Sequence, residues 1–395
     1  MDLIISSRHS DVIKIGSTIM FGVGIGLIMI EGLLRFFFPT ESLYRVAFFE
    51  PNEDIGWIHV SDLSFRWRGG SPSCIEFDVP VRFNNWGFRD DQNWTLEKRD
   101  DVVRIAILGD SHVEAIQVPF ADTASEQLEQ QLSDAFPNTT FQVMNFGVSN
   151  YSVGQFQLTY EHIASQFQPD IVFVYVAYFH MQRTLISRPS FGYTNAVGES
   201  LHIRPTYQLD SGGNLEFVPM EDYDAFVTVM DRITEEYGAD RSIEISELTD
   251  YTSFRTLDVL RGNVTGLQLS NALSDAHPPL LTPSSDATFD ALDVNYHILE
   301  LLHQQVQAND AQLVFLDAFQ YFDRYGSPFG SGSLIAENQA FAEEQGMSYV
   351  NLSEQFYSTA EGAQFPCDGH LNQLGNQHVA DAMYAWIIAN DALPD

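Results

Sequence analysis

Val103–Leu108 (VRIAIL) runs straight into Gly109-Asp110-Ser111-His112, a short apolar stretch followed by a small polar loop. A run of this kind bounded by a turn signal predicts a strand buried on both faces. Just downstream, Thr123 and Glu126 form a capping-box signature, and Ala124, Leu128, Leu132 and Ala135 follow at helical spacing. Phe141–Phe146 reads as a second strand and Gln155–Phe167 as a second helix. Ile171–Ala177 (IVFVYVA), rich in β-branched and aromatic residues, reads as a third strand. The alternation resumes with helix Ala291–Asn309, strand Gln312–Asp317, helix Ser333–Gln345, strand Ser348–Leu352 and helix Gln373–Asn390. In the last helix Val379, Met383, Trp386 and Ile387 share one face. Strands separated by helices predict an α/β fold with a five-stranded parallel sheet covered on both sides.

Three segments flank or interrupt that core of 101–183 and 291–395. Residues 41–100 hold Trp57, Trp67, Trp86 and Trp94 among Pro, Gly and Asn, and read as a small β-rich or irregular lead-in. Residues 184–290 break the rhythm and read as an insertion or cap. Residues 1–40 hold an apolar stretch, free of charge from Ile15 to Ile30 and extending to Pro39. About 20 such residues span a bilayer as a helix. Glu31 and Arg35 interrupt the stretch, but they sit four apart on one helical face and can pair. Gly16, Gly22, Gly24 and Gly26 suit a membrane helix better than a buried soluble one. No small-x-small cleavage site follows, which favours an uncleaved transmembrane anchor over a signal peptide. Arg8 and Lys14 precede the stretch while Arg35 and Arg45 follow it. The positive-inside rule leans to an inner N-terminus, with the rest of the chain extracytoplasmic, periplasmic or at the cell surface.

Composition narrows the function classes. The 395 residues carry a formal charge of −35, from 54 acidic and 19 basic side chains, and the only lysines are Lys14 and Lys98. With 45% hydrophobic residues the chain is neither disordered nor fibrous. A field of that sign repels phosphate backbones and argues against a nucleic-acid partner. It suits a salty medium, where counterions screen self-repulsion. Cys74 and Cys367 leave two readings open, one disulfide or two core thiols. Neither has metal-ligand spacing, and there is no His-Glu-x-x-His, so neither a metal nor a cofactor is expected. Asn93, Asn138, Asn263 and Asn351 lie in Asn-x-Ser/Thr sequons, a pattern compatible with surface exposure.

Ligands of parallel α/β sheets bind beyond the carboxyl ends of the strands. There the sequence places Gly109-Asp110-Ser111-His112, Asn145-Phe146-Gly147, Phe179-His180-Met181-Gln182-Arg183 and Cys367-Asp368-Gly369-His370-Leu371-Asn372. A serine, a histidine and an aspartate thus gather at one rim, the set that activates a hydroxyl nucleophile. Proton bookkeeping makes His370 the base and Asp368 the group that receives its other ring N–H. The backbone N–H groups of Ser111 and Gly147 are candidate oxyanion donors. Asp110 reads as a brace for the tight loop, His112 as pointing elsewhere, and Asn372 as the cap of the last helix.

Arg104–His112 (RIAILGDSH), Asn145–Gln155 (NFGVSNYSVGQ) and Asp368–Ala380 (DGHLNQLGNQHVA) resemble the SGNH, or GDSL-type, hydrolase superfamily. Asn84–Asp91 (NNWGFRDD) is similar to a segment seen ahead of this core in membrane-anchored members. The resemblance covers about Asn84 to Asn390, apart from most of the insertion. It implies a three-layer α/β/α, flavodoxin-like fold and serine ester chemistry on acyl groups without a metal. It makes Ser111 the nucleophile, Asp368 and His370 its triad partners, and Gly147 an oxyanion donor. The implied substrate is an acylated glycan or lipid, cleaved by an esterase or passed on by an O-acyltransferase. Two features depart from the family pattern. The last pair is Asp-Gly-His rather than Asp-x-x-His, and the asparagine after the third strand is missing. Gln182 stands in its place, with Arg183 after it, and His180 is a second candidate for the lost donor. A non-catalytic binding or assembly protein of the cell envelope is the competing reading.

Overall fold

The computed structural model describes residues 15–30, 32, 44–71, 74–189, 193–194, 199–238, 242–244, 286–318, 331–352 and 362–394. The chain forms two compact units, one of 1–43 with 244–279 and one of 44–243 with 280–395. In the first, residues 15–30 form a helix with mostly exposed side chains. Among the described residues no helix is long and apolar enough to cross a membrane. Sixteen residues rising 1.5 Å each reach about 24 Å, against a hydrocarbon layer of about 30 Å. The rest of the expected span, Glu31 and 33–39, lies outside the described residues, as do Arg8, Lys14, Asn263 and most of 245–290.

The second unit opens with two antiparallel hairpins. The first pairs β1 (Phe49–Asn52) with β2 (Gly56–His59), and the second β3 (Ser64–Ser71) with β4 (Cys74–Arg82). The core then runs β5 (Val102–Gly109), α1 (Ser111–Glu114), α2 (Ala124–Ala135), β6 (Thr140–Gly147), α3 (Val153–His162), β7 (Ile171–Val176) and α4 (Tyr178–Arg183). A short hairpin, β8 (Thr206–Leu209) with β9 (Leu215–Val218), and α5 (Tyr223–Tyr237) come next. The chain closes with α6 (Asp286–Ala308), β10 (Gln312–Asp317), α7 (Ser331–Glu344), β11 (Ser348–Asn351) and α8 (Gln373–Ala389).

Five strands form one parallel sheet in the order β11-β10-β7-β5-β6. Numbered along the chain this is 2-1-3-4-5, so the order reverses at β5, where open sheets of this type place their ligands. Side chains alternate across the sheet. Ala106, Leu108, Val172, Val174 and Phe315 meet α3 and α6 on one face. Ile105, Ile107, Phe173, Tyr175 and Leu316 meet α2 and α8 on the other. Because both faces are covered, the strands read as continuous apolar runs. Each leucine or valine so buried contributes about 1.5–3 kcal/mol. Arg104 is the exception within β5. Its guanidinium is buried but donates to Gln142 Oε1 and to the carbonyls of Thr95, Leu96, Glu97 and Phe167, so the charge is solvated by protein.

The α2 cap is Thr123, whose hydroxyl accepts the Glu126 N–H, one half of the capping-box signature; its own N–H donates to the Phe120 carbonyl instead of to Glu126. Residues 44–100 share one hydrophobic cluster with the sheet: Trp57 and Trp94 are buried in it, and Trp67 and Trp86 pack against it. The described part of 184–290 joins the same cluster through Leu201, Ile203, Tyr207, Phe226, Val229 and Met230. Buried Arg204 fastens it further, donating to Gln155 Oε1, the Asn150 carbonyl and the Ile186 carbonyl. The described part of the segment read from sequence as an insertion or cap thus contributes to the core, through one apolar face of α5 that its polar composition hides.

Candidate active site

Ser111 stands where β5 gives way to α1, at the reversal in strand order. Asp110 caps the one-turn helix, its Oδ1 accepting the His112 N–H at 3.0 Å. Ala115, at φ +53°, closes the turn by donating its N–H to the Ser111 carbonyl at 3.0 Å. The β6 end lies against this turn so closely that a Cβ at Gly147 would meet Glu114 N at 2.2 Å and Val113 C at 2.7 Å. Glycine is therefore required there for backbone approach, whatever else it does.

The loop ahead of α8 brings the other two groups. Gly369, at φ +87°, lets Asp368 and His370 face the same way two residues apart. His370 Nδ1 lies 2.5 Å from Asp368 Oδ1, and His370 Nε2 lies 2.9 Å from Ser111 Oγ. A carboxylate accepts, so Nδ1 carries the proton and Nε2 is left to take one from the serine. Burial works against a charged His370, but its hydrogen bond to Asp368 and the charges of Asp368, Asp110 and Glu114 prevail and raise its pKa. Burial likewise opposes the Asp368 charge, and the His370 contact overcomes it, so that carboxyl group titrates below its usual range. Asn372 caps α8, accepting the Gly375 N–H at 3.2 Å.

No family model matches the chain, and no curated protein does. Among solved structures, a catalytic mutant of an acetylxylan esterase from Geobacillus stearothermophilus aligns at 12% identity. That alignment covers 72% of this chain and 94% of the other, with a TM-score of 0.39. TesA aligns at 11% identity over 73% of this chain and 99% of its own, TM-score 0.37. An α/β hydrolase from the metagenome of Lake Arreo, Spain, aligns at 11% over 76% and 100%, TM-score 0.38.

The expected oxyanion donors are placed differently from one another. Ser111 N–H, first in its helix, has no intrahelical acceptor. Gly147 N–H donates to Asn145 Oδ1 at 2.9 Å, so in this structure it is engaged within the fold. Gln182 is half-buried, and its amide has no hydrogen bond among the described residues. His180 does not face an open site. It is fully buried, with Nδ1 accepting the Ala177 N–H at 2.9 Å and Nε2 lying 2.9 Å from Asp110 Oδ2. With Nδ1 accepting an N–H, the ring proton sits on Nε2, and burial lowers the pKa against the opposing pull of Asp110. It braces Asp110 instead, as does Arg183, whose Nη1 donates to the same oxygen at 2.7 Å. His112 packs beside the site, its ring 5.0 Å from that of His370 and 5.7 Å from Phe179. Burial pushes its pKa down to about 3, so it stays neutral.

Three residues around the Ser111 turn escaped the sequence reading: His59, Arg89 and Glu114. Glu114 had one signal, an acid within the apolar Val113–Ile116 stretch. His59 had another, since it alternates with buried Trp57 along β2. Among the described residues no three His, Cys, Asp or Glu side chains converge as a metal ion would require.

Proposed function

We propose that the chain is a serine ester hydrolase of the SGNH type acting through Ser111, His370 and Asp368. The observation that carries this reading is the hydrogen-bonded line from the Ser111 hydroxyl through both nitrogens of His370 to the Asp368 carboxylate. The Ser111 oxygen attacks the ester carbonyl carbon while His370 Nε2 takes its proton, and Asp368 stabilises the imidazolium. The negative charge that builds on the carbonyl oxygen meets the Ser111 N–H, with the Gln182 amide, in the sequence position of the missing asparagine, as the second donor. Collapse breaks the C–O bond to the alcohol, which leaves with the proton from His370. Water then attacks the acyl-enzyme with His370 again as base, releasing the acid and Ser111. No cofactor enters these steps.

The substrate class is an acyl ester, short or acetyl, on a glycan or lipid. The chain works from an N-terminal membrane anchor with this unit outside the cytoplasm. What supports anchoring is the exposed apolar helix at 15–30, with Met20 at 73% and Phe21 at 72% accessibility. The disulfide at Cys367 supports an oxidising compartment. Transfer of the acyl group to a sugar hydroxyl shares the first half-reaction and differs in what reaches the acyl-enzyme. Hydrolysis of an activated acetyl ester with and without sugar acceptors separates the two.

A second reading, a non-catalytic envelope protein, is favoured by one observation: the Gly147 N–H is bonded to Asn145. A serine-directed fluorophosphonate decides between them. Labelling that disappears in Ser111→Ala establishes the nucleophile, and absence of labelling in the wild type establishes the binding protein.

A further inference from the structure

Glu114 ends the one-turn helix that Ser111 begins, and it is fully buried. A carboxyl group there needs partners, because burying one alone is strongly disfavoured. Its Oε1 lies 2.8 Å from Nε2 of His59, which is fully buried as well. Its Oε2 accepts the Ser149 hydroxyl. On the other side of the imidazole, His59 Nδ1 lies 2.7 Å from the Gly87 carbonyl oxygen. A carbonyl only accepts, so Nδ1 carries a proton. The contact at Nε2 then places the other face of the imidazole within ion-pair distance of the buried carboxyl group.

The lead-in segment holds this pair rigidly. The His59 ring stacks on Phe83 at 3.9 Å and on Phe49 at 5.5 Å between centroids, with interplanar angles of 6° and 17°. Gly87 sits at φ +77°, where a Cβ would meet the His59 carbonyl oxygen at 2.4 Å. From the same segment, buried Arg89 donates to the carbonyls of Ala115 and Val118, each at 2.6 Å. Residues of the lead-in therefore grip the nucleophile turn at its last helical residue and again just beyond it.

Resting on the reading of Ser111 as nucleophile, we propose that His59 and Glu114 are positioning residues for it, a buried contact pair through which the lead-in fixes the Ser111 turn against His370. Glu114 is faced by His59, by the Arg89 charge and by the Tyr151 hydroxyl. His370 is faced by Asp368, Asp110, Glu114 and His112. The Glu114 charge is among those that favour protonated His370, which supplies a readout that simple support of the fold would not move.

The test is hydrolysis of an activated acetyl ester by the full chain across pH, with folding followed by circular dichroism. His59→Ala and Glu114→Ala should lower kcat about tenfold or more with KM within about twofold, since a small misplacement of a nucleophile costs rate rather than binding. Glu114→Gln keeps a donor for His59 Nε2 and an acceptor for Ser149, so it should recover kcat relative to Glu114→Ala. Without the charge, the acidic limb of its profile should move to lower pH. Alanine variants within about twofold of wild type, or losing kcat only in step with the folded fraction while the Glu114→Gln limb stays put, overturn the proposal and leave the Ser111 reading intact. Wild-type hydrolysis that survives Ser111→Ala overturns both.

Discussion

Asp368 donates its backbone N–H to Glu76 at 2.7 Å, a bond across 292 positions that fastens the loop carrying Asp368 and His370 to a strand of the lead-in. The same Glu76 oxygen accepts the Cys367 N–H at 3.0 Å. Cys367 is disulfide-bonded, and Cys74, at the start of β4, is the only other cysteine in the chain. Phe77 adds a ring contact to Phe365 at 5.2 Å. Before α8 begins, the loop's own pairing is an antiparallel bridge of Gln364 with Leu371, and β4 adds a splint from outside it.

Removing the splint is expected to cost rate before it costs fold. Glu76→Ala deletes an acceptor for two amides, worth about 1 kcal/mol each at a half-exposed site. The expected result is a kcat lowered about tenfold with KM little changed, and Glu76→Gln recovering most of it. Reduction of the disulfide should lower unfolding free energy by about 2–4 kcal/mol, read by urea denaturation with and without dithiothreitol.

As the proposed base, His370 sets a pH dependence with a definite sign. Burial disfavours protonated His370, but the Asp368 bond and the surrounding charges outweigh it, so its pKa lies above the ordinary 6.5. The base works only when neutral. Activity should therefore be lost as pH falls through a value above 6.5. Asp368→Asn removes the strongest favourable contact, so the limb should move down while kcat falls steeply. The same shift makes the His370 contribution to stability fully present below 6.5 and lost as pH rises through the raised value. A pH–rate profile of kcat/KM with an inflection below 6.5 would show that Asp368 does not govern His370.

Asp110 is the brace beneath the nucleophile. Burial works most strongly against its charge, yet the His180 contact and the Arg183 charge hold its carboxyl well below the usual range. Its contribution is therefore present above about pH 3.8 and lost as pH falls through the lower folded value. Asp110→Asn leaves Arg183 and His180 facing an amide, and breaking a buried pair from one side costs roughly 3–5 kcal/mol. Arg183→Met, at a partner one-quarter exposed, should cost less than Asp110→Asn. Urea denaturation near neutral pH reads both, and equal losses would mean that His180 contributes nothing to the brace.

Much of this was legible in the sequence. Two-sided burial makes strands apolar throughout, so VRIAIL and IVFVYVA stood out, and the loop after the first holds Ser111, whereas Asp368 and His370 come from the loop ahead of α8. The lead-in and insertion were less legible because their contacts are long-range. Nothing local announces that His59 meets Glu114, or that Glu76 meets Asp368. His180 shows a different limit: its placement in the loop after β7 fitted a donor, but its own helix turn folds the ring inward onto Ala177 and Asp110. Periodicity finds elements and loops, whereas the direction of a side chain at a helix start depends on what it packs against.

Gln182 carries the expectation for the missing asparagine. Its half-buried amide has no competing hydrogen bond among the described residues, in contrast to His180. If the amide meets the oxyanion, Gln182→Ala should lower kcat by at least about tenfold with melting temperature unchanged. A rate equal to wild type removes Gln182 from the site and leaves the Ser111 N–H as the principal donor.

Gly147 tests whether the turn is fixed by close packing. An added Cβ would lie 2.2 Å from Glu114 N, 2.7 Å from Val113 C and 2.9 Å from the Asp110 carbonyl oxygen, all backbone atoms that cannot swing aside. Relief must come from moving the β6 end or the Ser111 turn as a whole. Overpacking of this kind costs about 1–3 kcal/mol. A displacement near 1 Å at the nucleophile lowers rate about a hundredfold. Gly147→Ala should thus remain folded with a lowered melting temperature and lose nearly all esterase activity. Fluorophosphonate labelling should slow in proportion. Labelling at the wild-type rate would show that the β6 end yields instead of the turn, and that Ser111 is positioned by α1 and the lead-in contacts without help from this glycine.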